Sequence, residues 1–239
     1  CVTACFLTGS LMLGGCGGKK EDAADSGLPE IVIGMDYFEP YSYQASDGEY
    51  KGIDVELAKE AFRRLGYRPK FENIVWEDKD ELLADGTVDC LWSSYSMNGR
   101  EDKYQWAGPY LYSRQMVVVK NESEIQTLSD LKGKRIAVQA TTKAEDLFLH
   151  NIKSDLPQMQ QVNCFSTTNE IYAALRKSYV DAIAGHEAML GSLVKEGKDA
   201  YRMLDESIYK SELGVAFKKA THQEVASDLT ETLKPLQRE

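Results

Sequence analysis

The eight residues Ser93-Ser94-Tyr95-Ser96-Met97-Asn98-Gly99-Arg100 carry three serine hydroxyls and one guanidinium directly after a short apolar run from Val88 to Trp92. Hydroxyls and main-chain N–H groups at the carboxyl end of a strand, with an arginine just beyond, suit a carboxylate, because a guanidinium offers a planar fork that meets both oxygens at once. The stretch reads as a small-anion site or, on residue types alone, as a polar loop with a surface arginine. A second group of candidates, Asp36 to Tyr41, follows the apolar run Ile31 to Met35. An aromatic there is either a core plug, expected for Tyr41, or an apolar wall against a ligand, expected for Phe38. Trp92 is open to the same two readings. A third group is Thr141 and Thr142, where Thr142 and Glu145 have capping-box spacing and the N–H groups of a helix start could accept an anion. The fourth is His186-Glu187, an acid and base in one reading and the start of a surface helix in the other.

The elements that must position these groups are short and alternate in type. Ile31 to Met35, Phe71 to Trp76 and Val88 to Trp92 read as buried strands. Between them lie a helix from an Asp54 N-cap to Leu65, stopped at Gly66, and a second helix from Asp80 to Ala84, stopped near Gly86. Strand-helix-strand order implies a parallel sheet with helical crossovers, and ligands of such sheets gather at the strand carboxyl ends. An aromatic segment with Pro109 and a strand from Met116 to Lys120 come next. Ile136 to Gln139 is then followed by a helix whose apolar face runs to Ile152. Thr167 and Glu170 repeat the capping-box spacing before a helix to Lys177. Val180-Asp181-Ala182-Ile183 matches Val88-Asp89-Cys90-Leu91 in kind, which suggests two lobes built alike. A helix from Ala188 to Glu196, strands at Tyr201 to Leu204 and Leu213 to Phe217, and an amphipathic helix from Gln223 to Leu236 complete the pattern.

A chain of 239 residues, 43% hydrophobic, is long enough for one large domain or two lobes of about 100 residues. Its formal charge of −10 disfavours nucleic acid and anionic membrane surfaces as partners, since either attracts a basic face. The cysteines at 1, 5, 16, 90 and 164 have no zinc or dithiol spacing. Cys90 and Cys164 sit in apolar runs and read as small buried thiols. The three histidines, His150, His186 and His222, are scattered, so no metal site and no cofactor are expected.

Residues 1–15 are largely apolar and end in Leu13-Gly14-Gly15 before Cys16, which resembles the lipobox of a bacterial lipoprotein signal peptide. That resemblance makes Cys16 the lipid-bearing residue and 16–28 a charged tether. With no initiating Met, the sequence is expected to start inside the signal.

From Ile31 to Lys219 the chain resembles the amino-acid-binding family of bacterial extracellular solute-binding proteins, the receptors of ABC importers. The resemblance is carried by Ile33-Gly34-Met35-Asp36 leading to Phe38-Glu39-Pro40-Tyr41, by Gly52-Ile53-Asp54-Val55-Glu56-Leu57-Ala58, and by Val88-Asp89 running to Ser93 and Arg100. Leu131 to Gln139 with Thr141-Thr142, and Val180-Asp181-Ala182, continue it. It implies a two-lobed α/β periplasmic-binding-protein-like fold, each lobe a mostly parallel sheet flanked by helices, joined by two crossing strands. Lobe 1 would be 29–113 with 209–239, and lobe 2 would be 114–208. It further implies a non-enzymatic, lipid-anchored receptor on the extracytoplasmic face of the membrane, with an ABC permease as partner and an amino acid as ligand. In such proteins an aromatic stacks on the ligand, here Phe38, with Tyr95 or Trp92 as further walls. The Ser93 loop holds the α-carboxylate, here through Ser94, Ser96 and Arg100, and Thr142 adds a contact. The acid that commonly holds the α-ammonium is replaced by His186, with Glu187 beside it. Asp36 reads as a hint of a polar or basic ligand side chain, or as a turn-former. By the same resemblance the chain is expected to be clipped at both ends. A dehydratase-like enzyme on this scaffold and a ligand-sensing domain, which would need a following membrane span, are the alternatives.

Overall fold

The computed structural model describes residues 27–236 except 153, 154 and 198; residues 1–15, Cys16 and the tether up to residue 26 lie outside the described residues. The first half opens with β1 (Glu30–Met35), a two-residue ladder of β2 (Tyr43–Gln44) and β3 (Tyr50–Lys51), α1 (Ile53–Arg64) and β4 (Arg68–Asn73). It continues through α2 (Lys79–Asp85) and β5 (Cys90–Leu91) to β6, a single strand of 16 residues from Gln105 to Lys120. The second half holds β7 (Arg135–Gln139), α3 (Lys143–Phe148), β8 (Gln161–Phe165), α4 (Thr168–Arg176), β9 (Ala182–His186), α5 (Glu187–Glu196) and β10 (Tyr201–Met203). β11 (Tyr209–Phe217) and α6 (Gln223–Leu236) then return to the first half.

The strand order β4-β1-β5-β11-β6-β9-β7-β8 contains the same unit twice. β1 lies between β4 and β5, all parallel, and β7 lies between β8 and β9, all parallel. An antiparallel strand closes each unit, β11 against β5 and β6 against β9. β6 and β11 pair with each other from Gln105↔Phe217 to Gln115↔Tyr209 and so are the two strands that cross between the lobes. The likeness of Val88-Asp89 and Val180-Asp181 has a physical counterpart. The Asp89 carboxylate accepts from Val32 N at 2.7 Å and the Asp181 carboxylate from Arg135 N at 2.8 Å. In each unit, therefore, an aspartate ties the third parallel strand to the start of the first.

Burial explains where the elements sit. Trp92, Phe62, Phe217 and Ile33 are fully buried in the first lobe, and Ile136, Leu147 and Ile183 in the second. Each side chain of this kind stabilises the fold by roughly 1.5–3 kcal/mol. α1 buries Val55, Ala58, Ala61 and Phe62, with acids in its first turn and Arg63 and Arg64 in its last, as its dipole favours. Its N-cap is Gly52 at φ 121°, where a Cβ would lie 2.3 Å from the Tyr41 carbonyl oxygen. Glycine is required there, because Ile53 N and Asp54 N donate to the carbonyls of Pro40 and Tyr41 and so clamp the Phe38 loop onto the helix start.

Several expectations need correction. Asp54 is not the cap of α1; it lies inside the first turn, fully buried. The strand expected at Phe71 to Trp76 is shifted to Arg68–Asn73, with Trp76 starting a 3-10 turn. The strand expected at Val88 to Trp92 pairs only over Cys90–Leu91. α3 stops at Phe148, leaving Ile152 exposed. The capping box forms at Thr167 and Glu170 but not at Thr142, where the hydroxyl turns back to Gln139 O at 2.7 Å and Glu145 takes Thr141 N instead. Cys90 is buried, but Cys164 is exposed on β8, which among the described residues has one strand neighbour, β7.

Candidate functional site

The carboxyl ends of β1, β5, β7 and β9 converge on one cleft between the lobes. Its polar part is lined by Asp36, Ser93, Ser94, Tyr95, Ser96 and Lys143, among others. Its apolar part is lined by Ile171, Ala184, Met189 and Gln115, and the two share Phe38, Gln139, Thr142 and His186.

The serine loop is held from behind by a group that its own sequence does not announce. Asp54 accepts from Ser94 N at 2.6 Å through one carboxylate oxygen and from Tyr110 OH at 2.9 Å through the other. Burial pushes its pKa up to about 7 against those two bonds. Ser94 is thereby kept at φ 50°, a costly conformation for a non-glycine residue. Ser93 ties two loops together, accepting from Asp36 N at 3.3 Å and sharing a 2.9 Å hydrogen bond with the Ser42 hydroxyl. Ser96 is 2% exposed and lines the cleft, and its hydroxyl has no hydrogen-bond partner among the described residues. The Ser94 hydroxyl lies near Asp54 without a well-formed bond. A buried hydroxyl left so costs about 1–3 kcal/mol, which a ligand atom would recover.

The two ends of the polar part differ in charge. At one end Asp36 accepts from Tyr37 N at 2.7 Å and from Gln139 Nε2, and no cation pairs with it among the described residues. Burial raises its pKa to about 6. At the other end Asp146 is shared by Arg100 at 2.6 Å and Lys143 at 3.1 Å, two cations on one carboxylate. Lys143 is 4% exposed, and its pKa is lowered, first by burial and then by Arg100. Lys79 adds a third cation nearby, donating to Thr141 Oγ1 at 2.8 Å and lying 5.2 Å from the Trp76 ring centre, with burial lowering its pKa to about 8. The cleft is therefore acidic at one end and basic at the other. That is the pattern of a zwitterion in reverse.

The candidates fall into three groups. Asp36, Phe38, Ser93, Ser94, Tyr95, Ser96, Thr142 and His186 line the cleft. Arg100 lies between the lobes, but its guanidinium is engaged by Asp146 and by Ser96 O at 3.2 Å, over the Tyr95 ring. Trp92, Thr141 and Glu187 do not reach the cleft. Trp92 is fully buried between Phe62 and Tyr110, Thr141 is taken by Lys79 and Glu145, and Glu187 turns outward to Arg114. His186 packs edge-on to Phe38, its ring centre 5.7 Å away, with Nδ1 3.0 Å from the Ser113 hydroxyl. Burial first, then Arg100, lowers its pKa to about 4, so the ring is neutral. Sequence reasoning missed Lys143, Gln139, Gln115, Ile171 and Met189. Only Gln139, at the end of a strand, held a position that could have marked it.

Two like α/β lobes, joined by two strands and closing on a cleft of opposed charges, define a receptor for a small dipolar molecule. The profile of the bacterial extracellular solute-binding proteins, family 3, matches residues 31–238. The chain belongs to that family. It is 28% identical over 193 residues to the L-cystine-binding protein TcyJ of Escherichia coli (strain K12), covering 79% of this chain and 71% of that one. Among solved structures, a substrate-binding protein of an ABC uptake transporter from Streptococcus pneumoniae with bound histidine superposes with a TM-score of 0.77 at 26% identity, over 87% of this chain and 86% of that one. An ancestral arginine-binding protein bound to glutamine superposes with a TM-score of 0.77 at 22% identity, over 88% and 92% of the two chains, which speaks for the fold alone. Among the described residues no helix is long and apolar enough to cross a membrane, and no cluster of acids, histidines or cysteines could hold a metal ion.

Proposed function

We propose that this chain is the substrate-binding component of an ABC importer and takes an α-amino acid between its lobes. The observation that carries the reading is the charge asymmetry of the cleft, with Asp36 having no cation partner among the described residues at one end and Arg100 and Lys143 sharing Asp146 at the other. The α-ammonium goes to Asp36, in place of an acid at His186. The α-carboxylate goes to the Ser96 hydroxyl and Lys143, in the field of Arg100, with Thr142 alongside and Phe38 and Tyr95 as walls. The names of the relatives, which bind amino acids, support this reading. Lobe boundaries near 113/114 and 208/209, a lipid anchor at Cys16, residence on the extracytoplasmic face and a permease partner belong to the same proposal. No observation favours the enzymatic reading. His186 is a neutral ring and Glu187 an ion-paired surface acid, so the two do not act together on the cleft.

A thermal-shift screen over the amino acids tests the reading, with Arg100→Ala and Asp36→Asn as controls. At least one amino acid should raise the melting temperature of the wild type, and both variants should lose most of that shift. Full shifts in both variants would overturn the two-pole assignment.

A further inference from the structure

We infer that the ligand's side chain is uncharged, and that the apolar end of the cleft around Ile171, Ala184 and Met189 is the subsite that receives it. The inference rests on the amino-acid reading above and adds the class of amino acid. Once Asp36 and the Lys143 end are assigned to the α-ammonium and α-carboxylate, the part of the cleft lining not yet assigned continues past Phe38 and His186 to these three residues. Among the described residues, no charged side chain lines that end. The nearest acid in sequence, Glu187, points away to Arg114 at 2.8 Å. His186 is neutral, its ring held by Ser113 and Gln115. A guanidinium, ammonium or carboxylate placed there would be stripped of water without a counter-charge, which is strongly penalised. An acceptor is on offer, because Gln115 Oε1 is buried with no hydrogen-bond partner among the described residues while its Nε2 donates to Ser211 Oγ at 3.1 Å. The subsite therefore suits an aliphatic or thioether side chain, or one ending in a single neutral donor such as an amide.

Calorimetric titration of the folded chain near neutral pH with leucine, methionine, glutamine, arginine, lysine and glutamate tests this. The best of the neutral ligands should bind about a hundredfold more tightly than any of the charged ones. A charged amino acid that binds as tightly as the best neutral one would overturn the side-chain assignment and leave the amino-acid reading standing. Absence of binding by every amino acid tried would overturn both. A Met189→Glu variant, checked for folding by circular dichroism, adds a gain-of-function arm. Its arginine-to-leucine affinity ratio should rise about tenfold over wild type, and an unchanged ratio in a folded variant would place the side chain elsewhere.

Discussion

At the scale of single residues, two aspartates, Asp54 fully buried and Asp36 half-buried, bear on the site in different ways. Asp54 supports the Ser94 loop from the core, and removing it in Asp54→Ala strands two buried donors, Ser94 N and Tyr110 OH. The expected cost is about 2–4 kcal/mol of unfolding free energy in urea titrations, together with weaker ligand binding; wild-type stability in the variant would contradict the supporting role. Its pKa of about 7 is raised above the ordinary 3.8, so between those values the folded chain binds a proton that the unfolded chain does not. The stability it contributes is full below about pH 4 and is lost as pH rises through about 7. Asp54→Asn should therefore flatten the fall in stability across that window, and parallel pH profiles of variant and wild type would count against this. Asp36, in the proposed reading, acts on binding instead. An ammonium against it favours the charged carboxylate and lowers its pKa from about 6, so affinity should decline as pH falls below about 6, with proton release on binding. In Asp36→Asn that pH dependence should disappear. The acid at position 36 was legible in the sequence because it follows an apolar strand. The N-cap expected at Asp54 differs from the structure because an aspartate just before an amphipathic run is also how an N-cap looks, whereas here Gly52 is the cap and Ile53 already lies in the helix. What separated the two outcomes was its contact with a residue forty positions away.

At the scale of elements, two similar helix starts behave differently. Thr167 and Glu170 form a complete capping box, with Thr167 N to Glu170 at 3.0 Å and Glu170 N to Thr167 at 3.3 Å. Thr142 has the same spacing to Glu145, but its hydroxyl closes the turn after β7 and the residue lines the cleft. Thr167→Ala should cost about 1 kcal/mol of stability and leave ligand affinity unchanged. Thr142→Ala should weaken affinity at least as much as stability, measured by titration and urea unfolding on the same samples. The converse pattern would mean the two starts had been assigned the wrong way round. The repeated unit was also legible, because Val-Asp recurs after a helix and a turn in both halves and each aspartate bonds its neighbouring strand. Strand ends were less so. Residues 105–120 form one strand although Pro109 interrupts the pattern, because β11 and then β9 supply partners along its length, which the sequence around it does not reveal.

At the scale of the whole molecule, the lobes hold each other through the protein's own groups. Arg100 pairs with Asp146 at 2.6 Å, Lys79 donates to Thr141 at 2.8 Å, Ser166 donates to Glu77 at 3.0 Å, and Asp36 accepts from Gln139. Each contact joins a residue of the first half to one of the second, so closure does not depend on ligand contacts alone. Because the Arg100 and Asp146 side chains are 11% and 27% exposed, water screens the pair only partly. Its loss should weaken closure by about 1 kcal/mol, a shift of roughly fivefold in the ratio of closed to open molecules. Small-angle scattering of ligand-free Asp146→Asn should then give a larger radius of gyration than wild type, while saturating ligand should bring both to the same compact form. High salt should open the ligand-free wild type toward the variant and change the variant less, since screening acts on the charge that the substitution has already removed. If the two proteins scatter alike without ligand at low salt, the ion pair does not hold the lobes together. Lys79 and Gln139 would then be the contacts to remove next in the same measurement, because each bridges the halves without depending on Asp146.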